Sequence, residues 1–536
     1  MTAPAQPVRV WDRIAIAGPA LVAAVLCLIS ITGRSLGFDE AATVTIASQP
    51  GSALWSAIAH DGGNMSGYYL LLHVLIAGFG NGLLAIRLPS AVASVATVAL
   101  VGVIGLRAFG RMAALAAGLL TAVSLPLVFW AQNARGYASM MAFVCAAFVA
   151  LHSLCEADAP RRRDWIAYVV FMALAVYSSF VAVLVVPAQL IVLAWRRPIL
   201  GRFVLALGAL VICCLPLIAL ALSRGSGQLF WVPRPTGMVE TQVLQSLTSA
   251  GLQPSFRATL ITTPLLGATL GLLAIVAAVI VWRARRGGIE PGWPGVMVLA
   301  WLTVPALLTW ATSYVIQPTF VPRNLLMSVP PVGLALGFGL AQSHWPRTPS
   351  RAALARLAGL AGLVGLLALR GVSLATGYGV SPEPWAQSTA YVLARARPAD
   401  CVAFYPADGR MAFQYYVGTA AANTRRAPQA ILPVARWGVA RVFVEQYVVL
   451  TPEQIARRAA GCRRMWFVTS HEGQSDGPAR SRQNRAGFFA LRAELERAYG
   501  PASVKQFGYA AAIHVQLMPG RARLRAAASS RERSAR

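Results

Sequence analysis

Gly67-Tyr68-Tyr69-Leu70-Leu71-Leu72-His73-Val74-Leu75-Ile76-Ala77-Gly78-Phe79-Gly80 is the stretch on which the topology turns. It is apolar but short, and it carries His73, whereas a helix needs about 20 apolar residues to cross a bilayer. Whether it crosses decides on which side every later loop lies. Longer runs flank it at 12–32, 88–106, 112–130, 137–155, 201–222, 258–282, 295–314, 322–342 and 353–376. The stretch 165–195 is too long for one span and is interrupted by Tyr177-Ser178-Ser179, so it divides into two short ones. These runs predict an α-helical polytopic membrane protein with about eleven transmembrane helices.

The arginines settle the short run. With the N-terminus cytoplasmic and 67–80 not crossing, the clusters Arg107/Arg111, Arg161–Arg163, Arg196/Arg197/Arg202, Arg283/Arg285/Arg286 and Arg347/Arg351/Arg356 all fall inside. If 67–80 crossed, every later cluster would fall outside. Cytoplasmic loops carry the excess of positive charge, so 67–80 is expected to lie flat in the interface. The loops at 33–87, 131–136, 178–180, 223–257 and 315–323 then face outward, as does the chain after 377.

Composition agrees with a membrane protein. The chain of 536 residues is 57% hydrophobic and 12% charged, and its mean hydropathy is +0.59. Its net charge of +28 is almost all arginine, with Lys505 the only lysine. Much of that arginine sits in short loops between apolar runs, which the membrane explains and nucleic acid does not. Arg9 and Arg13 precede the first apolar run, which reads as a retained anchor. Cys27, Cys145, Cys155, Cys213 and Cys214 lie in or beside apolar runs as packing residues, and no Cys/His metal spacing is present.

From about 381 the texture changes. Ser381-Pro382-Glu383-Pro384 punctuates the boundary. Short apolar strands are expected at Cys401–Tyr405, Val442–Val449, Met465–Thr469 and His514–Leu517, with helices at 385–396, 452–460 and 486–499. The expected organisation is a membrane catalytic region over 1–380, an extracytoplasmic α/β domain over 381–520 and a basic, disordered tail over 521–536. Cys401 and Cys462 could pair if that domain is extracytoplasmic.

Acidic residues are scarce, so their placement carries information. Asp39-Glu40 follows the first span in Gly37-Phe38-Asp39-Glu40-Ala41-Ala42-Thr43. A carboxylate beside the bilayer is costly unless paired or solvated, and marks a candidate functional site. An alternative is that Asp39 merely caps a helix beginning near Ala41. The same loop holds His60-Asp61 and Asn64. Facing it, at outer span ends, are Arg87, Arg135 and Arg323, against the positive-inside trend. Three arginines on the side of an acidic pair suggest an anion site. A donor with a phosphate leaving group needs such cations, and an acceptor hydroxyl needs a carboxylate base. His60 and Asp61 are candidates to orient the acceptor or help hold a divalent metal ion. Trp231 and Tyr314 are weaker candidates for an acceptor groove.

These motifs resemble the GT-C superfamily of glycosyltransferases, specifically family 39 and its bacterial relatives, which are similar to protein O-mannosyltransferases and the lipid A aminoarabinose transferase. The elements that carry the resemblance are Asp39-Glu40, the segment around Tyr68-Tyr69-Leu70, Arg87-Leu88-Pro89-Ser90, Gln132-Asn133-Ala134-Arg135-Gly136-Tyr137 and Pro322-Arg323-Asn324-Leu325-Leu326. Two departures are visible: Gly62-Gly63-Asn64-Met65-Ser66-Gly67 lacks the basic residue that relatives often place before the tyrosines, and Asn324 stands where they carry tyrosine. The resemblance implies interfacial helices in the first outer loop, a polyprenyl-phosphate sugar donor and inversion at the anomeric carbon. It further implies Asp39 as catalytic base and Arg87 on the lipid phosphate.

The expected function is therefore transfer of a sugar, mannose by resemblance, from polyprenyl phosphate to a glycan, lipid or protein acceptor at the outer face of the cell membrane. Asp39 and Glu40 are the catalytic candidates. Arg87, Arg135 and Arg323 are the candidates for donor phosphate, and His60, Asp61, Tyr68 and Tyr137 for acceptor or metal. The partners are the lipid donor, the acceptor and membrane lipids, with no nucleic acid. The rival readings are a transporter or flippase of lipid-linked glycans, which would show ionisable residues deep within spans, and a non-catalytic envelope assembly protein.

Overall fold

In hydrocarbon each backbone N–H and C=O must be satisfied inside its own segment, so the apolar runs become helices. The computed structural model describes residues 10–194, 199–224, 232–252, 261–287, 292–341, 349–419, 427–432, 452–473, 479–508 and 512–520. Trp231, the expected strand Val442–Val449 and the tail 521–536 lie outside the described residues.

The first helix, α1 (Val10–Leu28), leads into a loop that is itself helical: α2 (Phe38–Ala47), α3 (Gly51–His60) and α4 (Ser66–Phe79). Then come α5 (Leu83–Phe109), α6 (Arg111–Ala122), α7 (Leu125–Ala131) and α8 (Tyr137–Glu156). Next are α9 (Arg162–Ser178), a 3-10 segment over Phe180–Val185, α10 (Val186–Leu193) and α11 (Leu200–Arg224). After α12 (Gly237–Leu247), α13 (Thr262–Gly287) and α14 (Trp293–Val315), a second 3-10 segment, Pro322–Ser328, runs into α15 (Val329–Ala341), and α16 (Pro349–Gly377) follows.

Among the described residues, seven helices are long and apolar enough to cross a membrane, and α6 with α7, bent by 59°, makes an eighth. The remaining three of the eleven expected spans are present as shorter or broken helices. Ser178-Ser179 breaks 165–195 as expected, leaving α9 on one side and a 3-10 turn with α10 on the other. The run 322–342 opens with a 3-10 segment, so only 13 residues remain for α15. The short run 67–80 forms α4, a helix of 14 residues.

α8 is the central helix: 83% of its apolar window is enclosed, against 22–39% for the other six long helices. Its Phe148 stacks on Trp301 of α14 with ring centroids 3.8 Å apart. α15 lies against α6 through small residues. A Cβ at Gly337 would come within 2.7 Å of both Ala113 O and Ala117 N, so only glycine permits this backbone approach.

The C-terminal region comprises α17 (Trp385–Arg395), β1 (Asp400–Tyr405), α18 (Gly409–Gly418), β2 (Gln429–Ala430), α19 (Pro452–Ala459), β3 (Arg464–Thr469), α20 (Ala479–Tyr499), β4 (Ser503–Phe507) and β5 (Ile513–Met518). The strands form one sheet in the order β2-β1-β3-β5-β4. β2, β1 and β3 are parallel, while β5 runs antiparallel to β3 and β4. β1 is buried along its whole length, as a strand covered on both faces should be. Cys401 of β1 is disulfide-bonded to Cys462, just ahead of β3. Three of the expected strands are in place. β4 was not legible because Ser-Val-Lys-Gln-Phe is a largely exposed edge strand with no apolar run.

Candidate active site

α2 starts earlier than the capping alternative supposed. Gly37 is its extended N-cap residue, so Asp39 and Glu40 both lie in the first turn. Successive residues of a helix point about 100° apart, and the two carboxylates accordingly diverge. Glu40 is 2% exposed, whereas the Asp39 side chain is 33% exposed.

Glu40 is held from several sides. Arg87 donates to it from Nε at 2.9 Å and from Nη2 at 2.8 Å. The backbone N–H of Ala134 reaches Oε1 at 2.7 Å, and that of Gly37 reaches Oε2 at 3.2 Å. The other N–H groups of Arg87 go to the carbonyls of Ile31, Arg34 and Ser35 at 2.8, 3.1 and 3.3 Å. A guanidinium has five N–H donors, and all five are engaged here. Arg87 is fully buried. It ties the loop after α1 to the first turn of α2.

Asp39 faces the other two arginines. Arg323 Nη1 donates to its Oδ2 at 2.6 Å, and Arg135 Nη2 lies 4.0 Å from the same oxygen. Arg135 is itself oriented by Thr43 Oγ1 at 3.1 Å and by the face of Tyr137, whose ring centroid is 5.9 Å from the guanidinium carbon. Burial works to raise the Asp39 carboxyl, but Arg135 and Arg323 outweigh it and hold its pKa below the usual value.

The Gln132–Tyr137 corner is locked in place. Gln132 Nε2 donates to Ile29 O at 2.7 Å and Cys27 O at 3.2 Å. A Cβ on Gly136 would run into the carbonyl oxygen of Ser178. Tyr68 supports the corner from beneath: its hydroxyl lies 2.9 Å from Ser90 Oγ, which donates to Arg135 O at 3.3 Å. Tyr137 packs against Trp130 with centroids 4.5 Å apart.

Asp61 sits at the C-terminal end of α3, directly after His60. It is 6% exposed, and burial pushes its carboxyl up to about 7, with Arg135, the Tyr69 hydroxyl and Arg224 pulling the other way. Tyr69 Oη donates to its Oδ2 at 2.8 Å. Of the two adjacent tyrosines, then, Tyr69 reaches a carboxylate and Tyr68 braces the corner. Among the described residues no three His, Cys, Asp or Glu side chains gather to hold one metal ion.

The structure thus brings Asp39, Glu40, Arg87, Arg135, Arg323, Tyr68 and Tyr137 together around the first turn of α2. Thr43, Tyr69 and Ser90 stood inside the quoted motifs without a role, and sequence reasoning missed Glu383, Tyr416 and His471 from the C-terminal region as site residues. Glu383 stood in the Ser-Pro-Glu-Pro punctuation and was read only as a boundary.

The structure superposes on solved structures of ArnT and AglB. ArnT from Cupriavidus metallidurans in the apo state matches with a TM-score of 0.52 at 14% identity, over 94% of this chain and 97% of that one. The fold is that of GT-C glycosyltransferases. The GT-C match extends to archaeal oligosaccharyltransferase AglB from Archaeoglobus fulgidus in complex with an inhibitory peptide and a dolichol-phosphate, with a TM-score of 0.54 at 12% identity, over 94% of this chain and 74% of that one. ArnT bound to undecaprenyl phosphate matches with a TM-score of 0.50 at 12% identity, over 94% and 97% of the two chains. The family model for dolichyl-phosphate-mannose-protein mannosyltransferase matches residues 61–221. That span takes in Asp61, Tyr68, Arg87, Arg135 and Tyr137, but not Asp39, Glu40 or Arg323. No curated protein matches the chain. The chain is a multi-pass membrane protein with the GT-C fold and a C-terminal sheet domain.

Proposed function

We propose that this protein transfers a glycosyl group from a polyprenyl-phosphate donor to an acceptor hydroxyl, in one inverting displacement. The observation that carries the reading is Asp39: a partly open carboxylate, flanked by Arg135 and Arg323, on a turn fixed by the buried Glu40–Arg87 pair. The acceptor O–H gives its proton to Asp39, and the acceptor oxygen bonds to the anomeric carbon. The bond from that carbon to the phosphate oxygen breaks, and the electron pair leaves with polyprenyl phosphate. Arg135 and Arg323 take up the charge on the departing phosphate, where losing one such donor costs about 2.7–4 kcal/mol of transition-state stabilisation. Arg87 acts as a positioning residue through Glu40.

Mannose is the preferred sugar, supported by the family model, with arabinose and aminoarabinose next. The acceptor is a glycan, a lipid or a protein. The reaction is placed at the outer face of the cell membrane, with the N-terminus cytoplasmic. The Cys401–Cys462 bond supports that side, since disulfides persist in oxidising compartments.

The deciding experiment is transfer of labelled mannose from polyprenyl-phosphate mannose in membranes, with wild type and Asp39→Asn at equal expression. Transfer by wild type alone is expected. Transfer by both would remove Asp39 as the base and leave Asp61 as the next carboxylate. Transfer by neither would remove mannose as the donor sugar and bring the other polyprenyl-phosphate sugars forward.

A further inference from the structure

The backbone N–H groups of the turn leading into α2 are satisfied mostly from outside the helical region. Ser35 N–H donates to Ser381 Oγ at 2.9 Å, Leu36 N–H to Tyr416 Oη at 2.6 Å and Phe38 N–H to Glu383 Oε2 at 2.6 Å. The remaining amide of the run, on Gly37, goes to Glu40 Oε2 at 3.2 Å. In return, Ser35 Oγ accepts from Ala386 N–H at 2.9 Å, and Arg34 Nε donates to Tyr378 O at 3.3 Å. Three of the four successive backbone donors ahead of Asp39 are therefore satisfied by side chains 345 to 380 positions further along the chain.

Apolar burial docks the C-terminal domain on the helical region, with Trp385, Met411 and Phe413 in one buried cluster with Leu36 and Ala41. Here polar side chains converge on the backbone of the one turn that aims the acidic pair. Phe38 N–H is among the donors that the first turn of α2 cannot satisfy internally, and a carboxylate there also meets the positive end of the helix dipole. Glu383 has two further neighbours: Trp385 Nε1 donates to its Oε2 at 3.1 Å, and His471 Nε2 lies 3.7 Å from its Oε1. The His471 ring packs on Phe38 with centroids 5.6 Å apart.

We propose that Ser381, Glu383 and Tyr416 are positioning residues of the transfer site: the C-terminal domain sets the direction of Asp39 by holding the amides of Ser35, Leu36 and Phe38, with His471 braced between Glu383 and Phe38. This rests on Asp39 being the base, as argued above. The backbone of Arg135 lies in the corner that Gln132 ties to Cys27 O and Ile29 O, and that of Arg323 in the 3-10 segment Pro322–Ser328, so neither depends on the C-terminal side chains for its place. Loosening the turn therefore slows the chemical step and leaves donor binding nearly intact.

The test uses the full-length chain in detergent, with Glu383→Ala, Glu383→Gln and Tyr416→Phe beside wild type. Two quantities are read: amide exchange of a peptide over 34–47, and kcat and KM for polyprenyl-phosphate mannose. Glu383→Ala and Tyr416→Phe are expected to speed exchange over that peptide about tenfold, while a peptide over β1 keeps its protection. In both variants kcat should fall at least about tenfold, with the donor KM within about threefold. Glu383→Gln keeps an acceptor oxygen for Phe38 N–H and should restore both readings. A Glu383→Ala protein with faster exchange and unchanged kcat overturns the proposal, as does a loss of β1 protection that Glu383→Gln fails to rescue. If wild type transfers no mannose, the donor reading falls. The positioning role then stands or falls on whether exchange over 34–47 rises in Glu383→Ala and returns in Glu383→Gln.

Discussion

Arg323 Nη1 lies 2.6 Å from Asp39 Oδ2, across 284 residues of sequence. The contact opposes the effect of burial on Asp39 and, with Arg135, keeps the carboxylate ionised. Removing Arg323 should therefore raise the Asp39 pKa. The base would become protonated at a higher pH, so the acid limb of kcat/KM for Arg323→Ala should shift upward relative to wild type. Away from that limb the variant should still lose about 10²–10³ in kcat, because a donor to the leaving phosphate is gone. A pH–rate profile of the two proteins checks both parts. An unshifted acid limb would mean that Asp39 does not carry the titration.

The Glu40–Arg87 pair should behave as structure rather than chemistry. Breaking a buried, fully hydrogen-bonded pair from one side leaves an uncompensated charge and costs about 3–5 kcal/mol. Arg87→Ala is expected to lower the thermal midpoint in detergent strongly. The double variant Glu40→Gln/Arg87→Gln should lose less than the sum of the single variants, since neither partner is then left charged. Additive losses would show that the pair is not coupled.

How far the sequence could be read depended on which forces set each feature. The apolar runs and the Ser178-Ser179 break were legible because bilayer thickness and helix rise fix them. The arginine clusters argued that 67–80 lies flat, and in the structure it is a helix of 14 residues. The gathering of Asp39, Arg135 and Arg323 followed from loop parity. The division of labour within the site did not, because Asp39 and Glu40 are adjacent in sequence and diverge only through the helical turn. Likewise, Arg87 resembles Arg135 and Arg323 as an outer-end arginine, and only its five engaged donors distinguish it. The bonds from Ser381, Glu383 and Tyr416 to the catalytic turn have no periodicity or spacing to announce them.

Asp61 should make stability depend on pH. Its folded-state pKa, about 7, lies above the ordinary carboxylate value because burial disfavours the charged form. The folded protein therefore holds this proton where the unfolded chain has lost it, and stability falls as pH rises from about 4 towards 7. Asp61→Asn removes that ionisation and can still accept from Tyr69. Its thermal midpoint relative to wild type should rise between pH 5 and pH 8, by an amount equivalent to at most about 3 kcal/mol. A constant difference across that range would show that Asp61 does not ionise there on folding.

The Cys401–Cys462 bond should be both a brace and a marker of sidedness. It closes a sequence separation of 61 residues, for which chain entropy gives stabilisation of about 4 kcal/mol. A second brace sits beside it: Arg464 Nη2 lies 2.6 Å from Asp400 Oδ2, and Trp466 Nε1 donates to the same oxygen at 3.0 Å. Because that cluster survives reduction, Cys401→Ser should destabilise the sheet domain without abolishing it, as read by loss of amide protection over β1 and β3. In intact cells, a membrane-impermeant maleimide should label Cys462 in the Cys401→Ser variant and leave the wild type unlabelled until a reductant is added. Labelling of wild type at Cys401 or Cys462 without reductant would show that the two are not bonded, and no labelling of Cys462 in the variant in intact cells would place the domain on the cytoplasmic side.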